Sequence, residues 1–389
     1  MGITLMRPVG VGLKMIRHAD LIDYLEFKIP PGLSESWDHC GLQAGSRNWS
    51  LTGVLCALDL TAEVVAEALA VGANFVLSHH PLLFKPLARL DVAAFPGNLL
   101  YQALTAGVTL YSAHTNLDSV AGGVNDRLAE LFGLNHCTAL EPYQGEIYKL
   151  VTFIPKAEAE RVGRALFAAG AGSYGGGRYR DCSFCAPGVG SFRPVAGAAP
   201  RVGTVGKVSL VNEIRFETVL EKRVVPAVLE ALHQTHPYEV PAYDLYPMEL
   251  FDRHSGLGRI GMLPDPVCLA EFVDLVKQQL GAPALRLIGG DLQRALVQKI
   301  ALCSGSGFSL YRSACAAGAD LFISGDVKYH EARAVLDSGT LPVLDAGHFA
   351  TEKPVLEVMA AWCRDFFTDQ GLDLPVAVSQ SEREAWINL

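Results

Sequence analysis

Apolar residues in this chain come in short unbroken runs, separated by helical-period stretches that stop at glycine. Val54 to Leu60 is such a run and suits a buried strand. Thr61 follows as a helix N-cap, Val64, Val65, Ala68 and Leu69 share one helical face, and Gly72 ends the helix. The next strand, Phe75 to Leu77, runs into Ser78-His79-His80-Pro81. A helix over roughly Asn98 to Ala106 precedes the strand Val108 to Tyr111, which leads to His114-Thr115-Asn116-Leu117-Asp118. The last third repeats the alternation. Strand Ile300 to Cys303 meets the turn Ser304 to Gly307, and strand Leu321 to Ile323 ends in Gly325-Asp326. A helix covers about Tyr329 to Leu336, strand Val343 to Asp345 ends in Gly347-His348, and a final helix starts near Thr351, with Pro354 in its first turn. Strand–helix–strand order predicts an α/β fold with parallel strands covered on both faces.

The outer thirds also share a text. Gly72-Ala73-Asn74-Phe75-Val76-Leu77-Ser78 parallels Gly318-Ala319-Asp320-Leu321-Phe322-Ile323-Ser324. One strand later His114 stands four residues before Asp118, and His348 four before Glu352. A pseudo-twofold duplication facing one site explains this; chance recurrence of strand-end strings is the alternative. The middle reads differently. Lys149 to Ile154 suits a strand, and Glu158 to Ala169 and Lys222 to His233 suit helices. Gly175-Gly176-Gly177 opens a loop region to Val202, with a lid over Gly175 to Gly206 as a second option, and His236-Pro237-Tyr238-Glu239-Val240 enters a last strand. The expected organisation is one split domain, residues 1–137 and 251–389, around an α+β insertion at 138–250.

A length of 389 residues at roughly 150 per domain agrees with two or three domains, and 50% apolar content is that of a globular chain. Lys plus Arg is 32 against 41 for Asp plus Glu, a net charge of −9, which disfavours nucleic acid and anionic membranes as partners. No apolar run approaches the length of a membrane span, and Met1 to Arg17 does not read as a signal peptide. Nine cysteines, an odd and scattered set, fit a reducing cytoplasm; Cys182 and Cys185 form a lone Cys-x-x-Cys that carries little for zinc or redox chemistry.

Histidines and carboxylates at strand C-ends are the chemistry to explain, since open α/β sheets place their ligands there. Adjacent side chains diverge, so His79 and His80 suit two ions better than one. His348 and Glu352 share one face of a helical turn. With Asp118 they make three imidazoles and two carboxylates, a set suited to zinc, manganese, iron, cobalt or nickel. Two ions on five side chains require a bridging carboxylate and water, an open and catalytic arrangement. Each piece alone also has an ordinary reading, as a surface pair or a satisfied core histidine.

Taken in order, Trp37-Asp38-His39-Cys40-Gly41-Leu42, Ser78-His79-His80-Pro81, His114 to Asp118, Gly122-Gly123-Val124-Asn125-Asp126, Gly325-Asp326-Val327-Lys328-Tyr329-His330 and Asp345-Ala346-Gly347-His348 through Glu352 resemble the NIF-three-like family of dinuclear-metal proteins, also named GTP cyclohydrolase 1 type 2. His39 stands where that family's signature has Asn. The resemblance implies two divalent metal ions held by His79, His80, Asp118, His348 and Glu352, with Glu352 bridging. Phe184, Gly188, Gly190, Phe192 and His236-Pro237-Tyr238-Glu239 resemble the inserted domain of the long members, similar to PII and copper-tolerance A folds. The same resemblance implies a homohexameric toroid.

Around that set, His330 and His114 are candidate acid/base groups. Asp326 reads as a helix N-cap or as an orienter of a ligand imidazole, and Lys328 and Arg259 as holders of an anion. Ser304-Gly305-Ser306-Gly307 is not a P-loop, although its backbone sits where an anion can bind. Gly256-x-Gly258-Arg259-x-Gly261 has dinucleotide-loop spacing, but Pro264 and Pro266 bar the required helix. The expected function is a metal-dependent hydrolase of a nucleotide, phosphoester or related small substrate. The alternative is a non-enzymatic metal-loaded scaffold or regulator acting through the insertion, and binding of DNA along a ring cavity is a third option that the net charge opposes.

Overall fold

The computed structural model describes residues 15–173, 179–282 and 284–386. Gly175-Gly176-Gly177 and most of Met1 to Arg17 lie outside the described residues. The chain divides into two compact units, 1–143 with 253–389, and 144–252. Its strands are β1 (Gly41–Ala44), β2 (Val54–Ala57), β3 (Phe75–Ser78), β4 (Thr109–Ser112), β5 (Asn135–Pro155), β6 (Ser183–Phe192), β7 (Ser209–Glu221), β8 (Tyr243–Cys268), β9 (Arg286–Ile288), β10 (Leu296–Leu302), β11 (Leu321–Ser324), β12 (Val343–Asp345) and β13 (Val376–Val378). Its helices are α1 (His18–Lys28), α2 (Ala62–Ala70), α3 (Gly97–Thr105), α4 (Thr115–Ser119), α5 (Val124–Leu131), α6 (Ala159–Ala168), α7 (Val225–Thr235), α8 (Leu269–Leu280), α9 (Tyr311–Ala316), α10 (Tyr329–Ser338), α11 (His348–Glu352) and α12 (Val355–Gln370). The unit boundaries fall within β5 and β8.

The split unit contains two lobes built on one plan. In the first, β2, β3 and β4 run parallel, and β1 is antiparallel to β4 at one edge. In the second, β10, β11 and β12 run parallel, and β9 is antiparallel to β12 at the matching edge. Every residue of β2, β3, β4, β11 and β12 is buried. That explains the unbroken apolar runs, because a parallel strand covered on both faces has no polar side to alternate with. In β2, Val54 and Cys56 face one core with α1 and α12, while Leu55 and Ala57 face another with α2 and α3. In the second lobe Leu321 and Ile323 join α8 on one face and Phe322 joins α9 and α10 on the other. This shared order, with His114 beginning the turn of α4 and His348 that of α11, supports the duplicated reading of the sequence. The expected last helix is two. Pro354 has no N–H to continue α11 and instead caps α12.

Helix α5 joins the lobes. Val124 belongs to the first core, and Leu128, Ala129 and Phe132 to a core of the second. Asn125 donates to the Asp118 carbonyl (3.0 Å) and accepts from the Ser304 N–H (2.8 Å), so one side chain ties the two site-bearing loops. Gly123 has no room for a side chain, since a Cβ there meets the Leu117 carbonyl at 2.0 Å. Arg259 of β8 corrects the anion-holder expectation. It is 1% exposed, pairs with Asp126 through Nε (2.6 Å) and Nη2 (2.9 Å), and gives its other donors to the carbonyls of Gly256, Gly258, Val120 and His254. No donor is left for a ligand.

The inserted unit runs in the order β5, α6, β6, β7, α7, β8. Strands β6, β7 and β5 pair antiparallel, and α6 and α7 pack on one face through Val162, Leu166, Val228 and Leu232 against Leu150, Ile154, Phe216 and Leu220. The loop expected from Gly175 to Val202 therefore contains a strand. Its glycines concealed it: Gly190 lies over Glu213 of β7, and a Cβ there meets Glu213 Oε2 at 2.0 Å. These glycines admit a neighbouring carboxylate rather than a turn. Cys182 and Cys185 are free thiols.

Arg259→Leu should strand the Asp126 carboxylate and lower unfolding stability by about 3–5 kcal/mol. Denaturant titration checks this; a loss under about 0.5 kcal/mol, the range of an ordinary surface change, sinks the structural assignment.

Candidate metal centre

Strand ends deliver the site. The β3 backbone continues into His79 and His80, whose N–H groups bond the carbonyls of Ala57 (3.0 Å), the last residue of β2, and Leu58 (2.8 Å), the first beyond it. After β4, the turn of α4 presents Asp118, and after β12, the turn of α11 presents His348 and Glu352. Gly347, at φ +84, makes the sharp entry to α11, and Asp345 fixes that turn by accepting from Gly347 N (3.1 Å) and Val327 N (3.3 Å).

Each imidazole has its Nδ1 occupied. His79 Nδ1 bonds the Ala113 carbonyl (2.9 Å), His80 Nδ1 bonds Asp59 (2.9 Å), His348 Nδ1 bonds Asp326 (2.7 Å) and His114 Nδ1 bonds Asp38 (3.0 Å). All four partners are acceptors, so Nδ1 carries the proton and the Nε2 lone pair is free. For three rings that lone pair faces Glu352. His80 Nε2 lies 3.0 Å from Oε2, and His348 Nε2 and His79 Nε2 lie 3.1 and 3.6 Å from Oε1. His79 Nε2 is also 3.8 Å from Asp118 Oδ1, and the Nε2 atoms of His80 and His348 are 3.4 Å apart. Glu352 is 4% exposed, and its Oε2 and His79 Nε2 are buried without a hydrogen-bond partner.

This chemistry fits a divalent cation. Lone pairs and a carboxylate directed at one another repel unless positive charge lies between them. Donors of one tetrahedral zinc stand roughly 3.3–3.6 Å apart, from bonds of about 2.0–2.2 Å, close to the separations around Glu352. His80, His348 and Glu352 can hold one metal, and His79, His80 and His114 form a second such group. Asp118, 16% exposed, faces His79 and accepts from Ser304 Oγ (3.1 Å).

Protons compensate the same charge when no metal does. Burial opposes charging of His80, but Asp59 and Glu352 outweigh it and push its pKa up to about 10. Glu352 lifts that of His348 to about 9 against burial, with Asp326 adding to the rise. Burial also opposes the ionised form of Glu352, yet His79, His348 and His80 hold it well below the usual carboxylate range. Asp118 is pushed up by burial.

The neighbouring candidates separate. Asp326, at φ +54, is not the expected helix cap: Lys328 is the N-cap of α10, and the Asp326 carboxylate orients His348. Lys328 is exposed, and its N–H bonds Glu331. His330 is exposed on α10 and is not among the residues that converge on Glu352. The Ser304 to Gly307 loop is no anion cradle, because Ser304 N, Gly305 N and Gly307 N are taken by Asn125, Thr351 and Ser324. Gly305 instead makes room for Glu352, whose Oε1 lies 2.2 Å from where a Cβ would stand. The early Trp-Asp signature serves His114. Asp38 accepts from the His114 ring, Thr115 N (3.1 Å) and Thr115 Oγ1 (2.6 Å). His39, in the usual Asn position, is exposed, and its carbonyl accepts from Gln43 Nε2 (2.7 Å). Asp59, Ser304 and Gly305 were not singled out from sequence as parts of the centre. Only Asp59 carried a signal, a carboxylate just past a strand C-end.

An α/β fold in which two like lobes aim imidazoles at one buried carboxylate defines a two-lobed protein with a candidate metal centre. The chain belongs to the Duf34/NIF3 (NGG1p interacting factor 3) family, whose model matches residues 16–385. It is 36% identical over 370 residues to a Bacillus subtilis GTP cyclohydrolase 1 type 2 homolog, across 95% of this chain and 98% of that one. A Mycobacterium tuberculosis protein of the same name is 35% identical over 373 residues, across 95% and 97%. Among solved structures, a Bacillus cereus protein related to NIF3 superposes with a TM-score of 0.76 at 35% identity, covering 97% of this chain and 100% of that one. Staphylococcus aureus SA1388 does so at 0.77 and 28%, covering 96% and 99%.

Two pH effects follow from His80 and His348. Their folded pKa values, about 10 and about 9, exceed the ordinary imidazole value. Their contribution to stability in the metal-free chain is therefore complete below about pH 6.5 and lost as pH rises through about 9 to 10. Urea unfolding of the metal-free protein across this window should show the decline, and the His80→Asn/His348→Asn double variant should flatten it. Adding Zn2+ at pH 7 should release protons to a dilute indicator, since metal ligation needs both rings neutral; uptake without proton release contradicts the assignment.

Proposed function

We propose that this protein is a metal-dependent hydrolase of a nucleotide, phosphoester or related small molecule. The observation that carries the reading is the buried Glu352 carboxylate, with an unpartnered Oε2, at the meeting point of the Nε2 lone pairs of His79, His80 and His348. In this reading His79, His80, Asp118, His348 and Glu352 would hold two divalent ions, with the central Glu352 carboxylate shared between them. Bound there, such ions supply Lewis-acid polarisation of a carbonyl or phosphoryl oxygen and acidify water. The mixed imidazole–carboxylate donor set favours none of zinc, manganese, iron, cobalt or nickel over another.

The chain's own groups supply the rest. Asp38 holds His114 with its Nδ1 protonated, leaving a ring nitrogen on the site side to take or give a proton. Trp37 and Phe84, 59% and 51% exposed, stand edge-on to that ring at 6.2 and 5.7 Å between centroids. Exposed aromatic faces beside a reacting centre suit a planar base. A cavity of about 320 Å³ lined by Asp38, His39, Cys40, Leu42, Gln43, Leu83 and Pro86 adjoins this wall. His330 has no role in this arrangement. GTP ring opening is one candidate reaction, named by the relatives.

A second reading, a metal-loaded homohexameric scaffold working through the insertion, draws on the outer edge of β6. That strand is at the end of its sheet, with Phe184 and Val189 64% and 65% exposed, and unpaired apolar edges seek partners. Beside it lies a cavity of about 610 Å³ lined by Pro187, Phe192, Glu213, Arg215 and Tyr238 among others. The two readings are compatible, and activity separates them.

Metal-reconstituted protein screened against nucleotides and phosphoesters should show turnover. Glu352→Gln should abolish it, and His114→Ala should cut kcat by about 10²–10⁴-fold, the range of a lost acid/base group, with metal content retained; loss of metal would instead make His114 a ligand. Full metal loading with no turnover on any substrate would favour the scaffold, and ligand variants with wild-type metal content would remove the centre altogether.

A further inference from the structure

The C-terminal segment reaches the metal centre from behind. Strand β13 adds parallel to β2, pairing Val376 with Val54 and Val378 with Cys56, and Ser379 N continues the ladder to the Cys56 carbonyl (2.8 Å). The next residues clasp Glu67 of α2 through Ser379 Oγ (2.7 Å), Gln380 N (2.8 Å) and Ser381 Oγ (2.8 Å). Glu382 then turns inward. Its carboxylate accepts the N–H groups of Leu58 (2.9 Å) and Asp59 (2.7 Å), the first two residues beyond β2.

Two supports of His80, one on its backbone N–H and one on its ring, hang on those two residues, while Ser78 Oγ (2.9 Å) and Ser112 Oγ (3.1 Å) hold its carbonyl. The Leu58 carbonyl accepts the His80 backbone N–H (2.8 Å), and Asp59 Oδ1 accepts from its Nδ1 (2.9 Å). Asp59 is otherwise half in solvent, its side chain 51% exposed. An exposed side chain orients a ring only when its own backbone is held, and Glu382 holds it on a segment more than 300 residues away in sequence.

We infer that Glu382 is a positioning residue for the metal centre: it fixes the Leu58–Asp59 peptide, and through it the direction of the His80 Nε2 lone pair. The inference rests on the metal-centre reading and goes beyond it, since Glu382 touches no candidate ligand. Outer groups of this kind commonly change metal affinity by 10–100-fold when removed. Glu382→Ala should weaken Co2+ binding to the full-length chain by about that factor and alter the visible spectrum of the bound Co2+. Glu382→Gln, which keeps a carbonyl acceptor, should lose less. Glu67→Ala loosens the same segment without touching Leu58 or Asp59, and should keep the wild-type affinity and spectrum. In an Asp59→Asn background Glu382→Ala should add little, as expected of one coupled path.

Wild-type Co2+ affinity and spectrum in Glu382→Ala overturns the inference. So does a Glu67→Ala variant that loses as much, because the segment then acts only by docking. A wild-type chain that takes up no Co2+ overturns the metal-centre reading itself, and the inference with it.

Discussion

A carboxylate buried among lone pairs organises this molecule. Glu352 has three imidazole nitrogens within 3.6 Å, and its Oε2 and His79 Nε2 are buried without a hydrogen bond. Burying such a group is costly unless a proton or a cation compensates it. The surroundings are arranged for that compensation. Gly305 withholds a side chain where Oε1 lies, and Thr351 holds the Gly305 N–H (3.0 Å). Each ring is turned by an acceptor on its far nitrogen, so a single charge at the centre sets the demands on residues from six separate stretches of chain.

Those stretches come from two lobes, and the site exists only where the lobes meet. Several features of the shared unit secure that junction. Helix α5 places residues in a core of each lobe, Asn125 bonds to loops of both, and buried Arg259 ties β8 to Asp126 and the Val120 carbonyl. The repeated plan also accounts for the unequal donors. The same turn after β4 and β12 carries His114 and Asp118 in one lobe and His348 and Glu352 in the other, yet only Glu352 lies at the centre of the group.

The sequence was most informative where burial on both faces left no choice. Phe75 to Leu77 and Val343 to Asp345 read as strands because covered parallel strands must be apolar throughout, and Thr61 read as a cap, where its hydroxyl indeed accepts from Val64 N (3.2 Å). It was least informative at β6, an exposed edge strand whose glycines look like loop text until Glu213 is seen lying over Gly190. His330, five residues past Gly325 and inside a motif, read as a candidate acid/base group. Helix α10 points it to solvent, and no spacing rule conveys that.

Residue order alone carried the alternation of strands and helices and pointed to an inserted segment and to His79, His80, Asp118, His348 and Glu352 as candidate ligands, because local periodicity, strand-end chemistry and family motifs are properties of neighbours in sequence. Tertiary structure decided which groups stand behind that set. Asp38 on His114, Asp59 on His80, Asp326 on His348 and Glu382 on the Leu58–Asp59 peptide are contacts between residues 21 to 324 positions apart. It also decided that Arg259 serves the fold, since a guanidinium open to a ligand and one sealed among carbonyls have the same sequence and differ only in what packs around them.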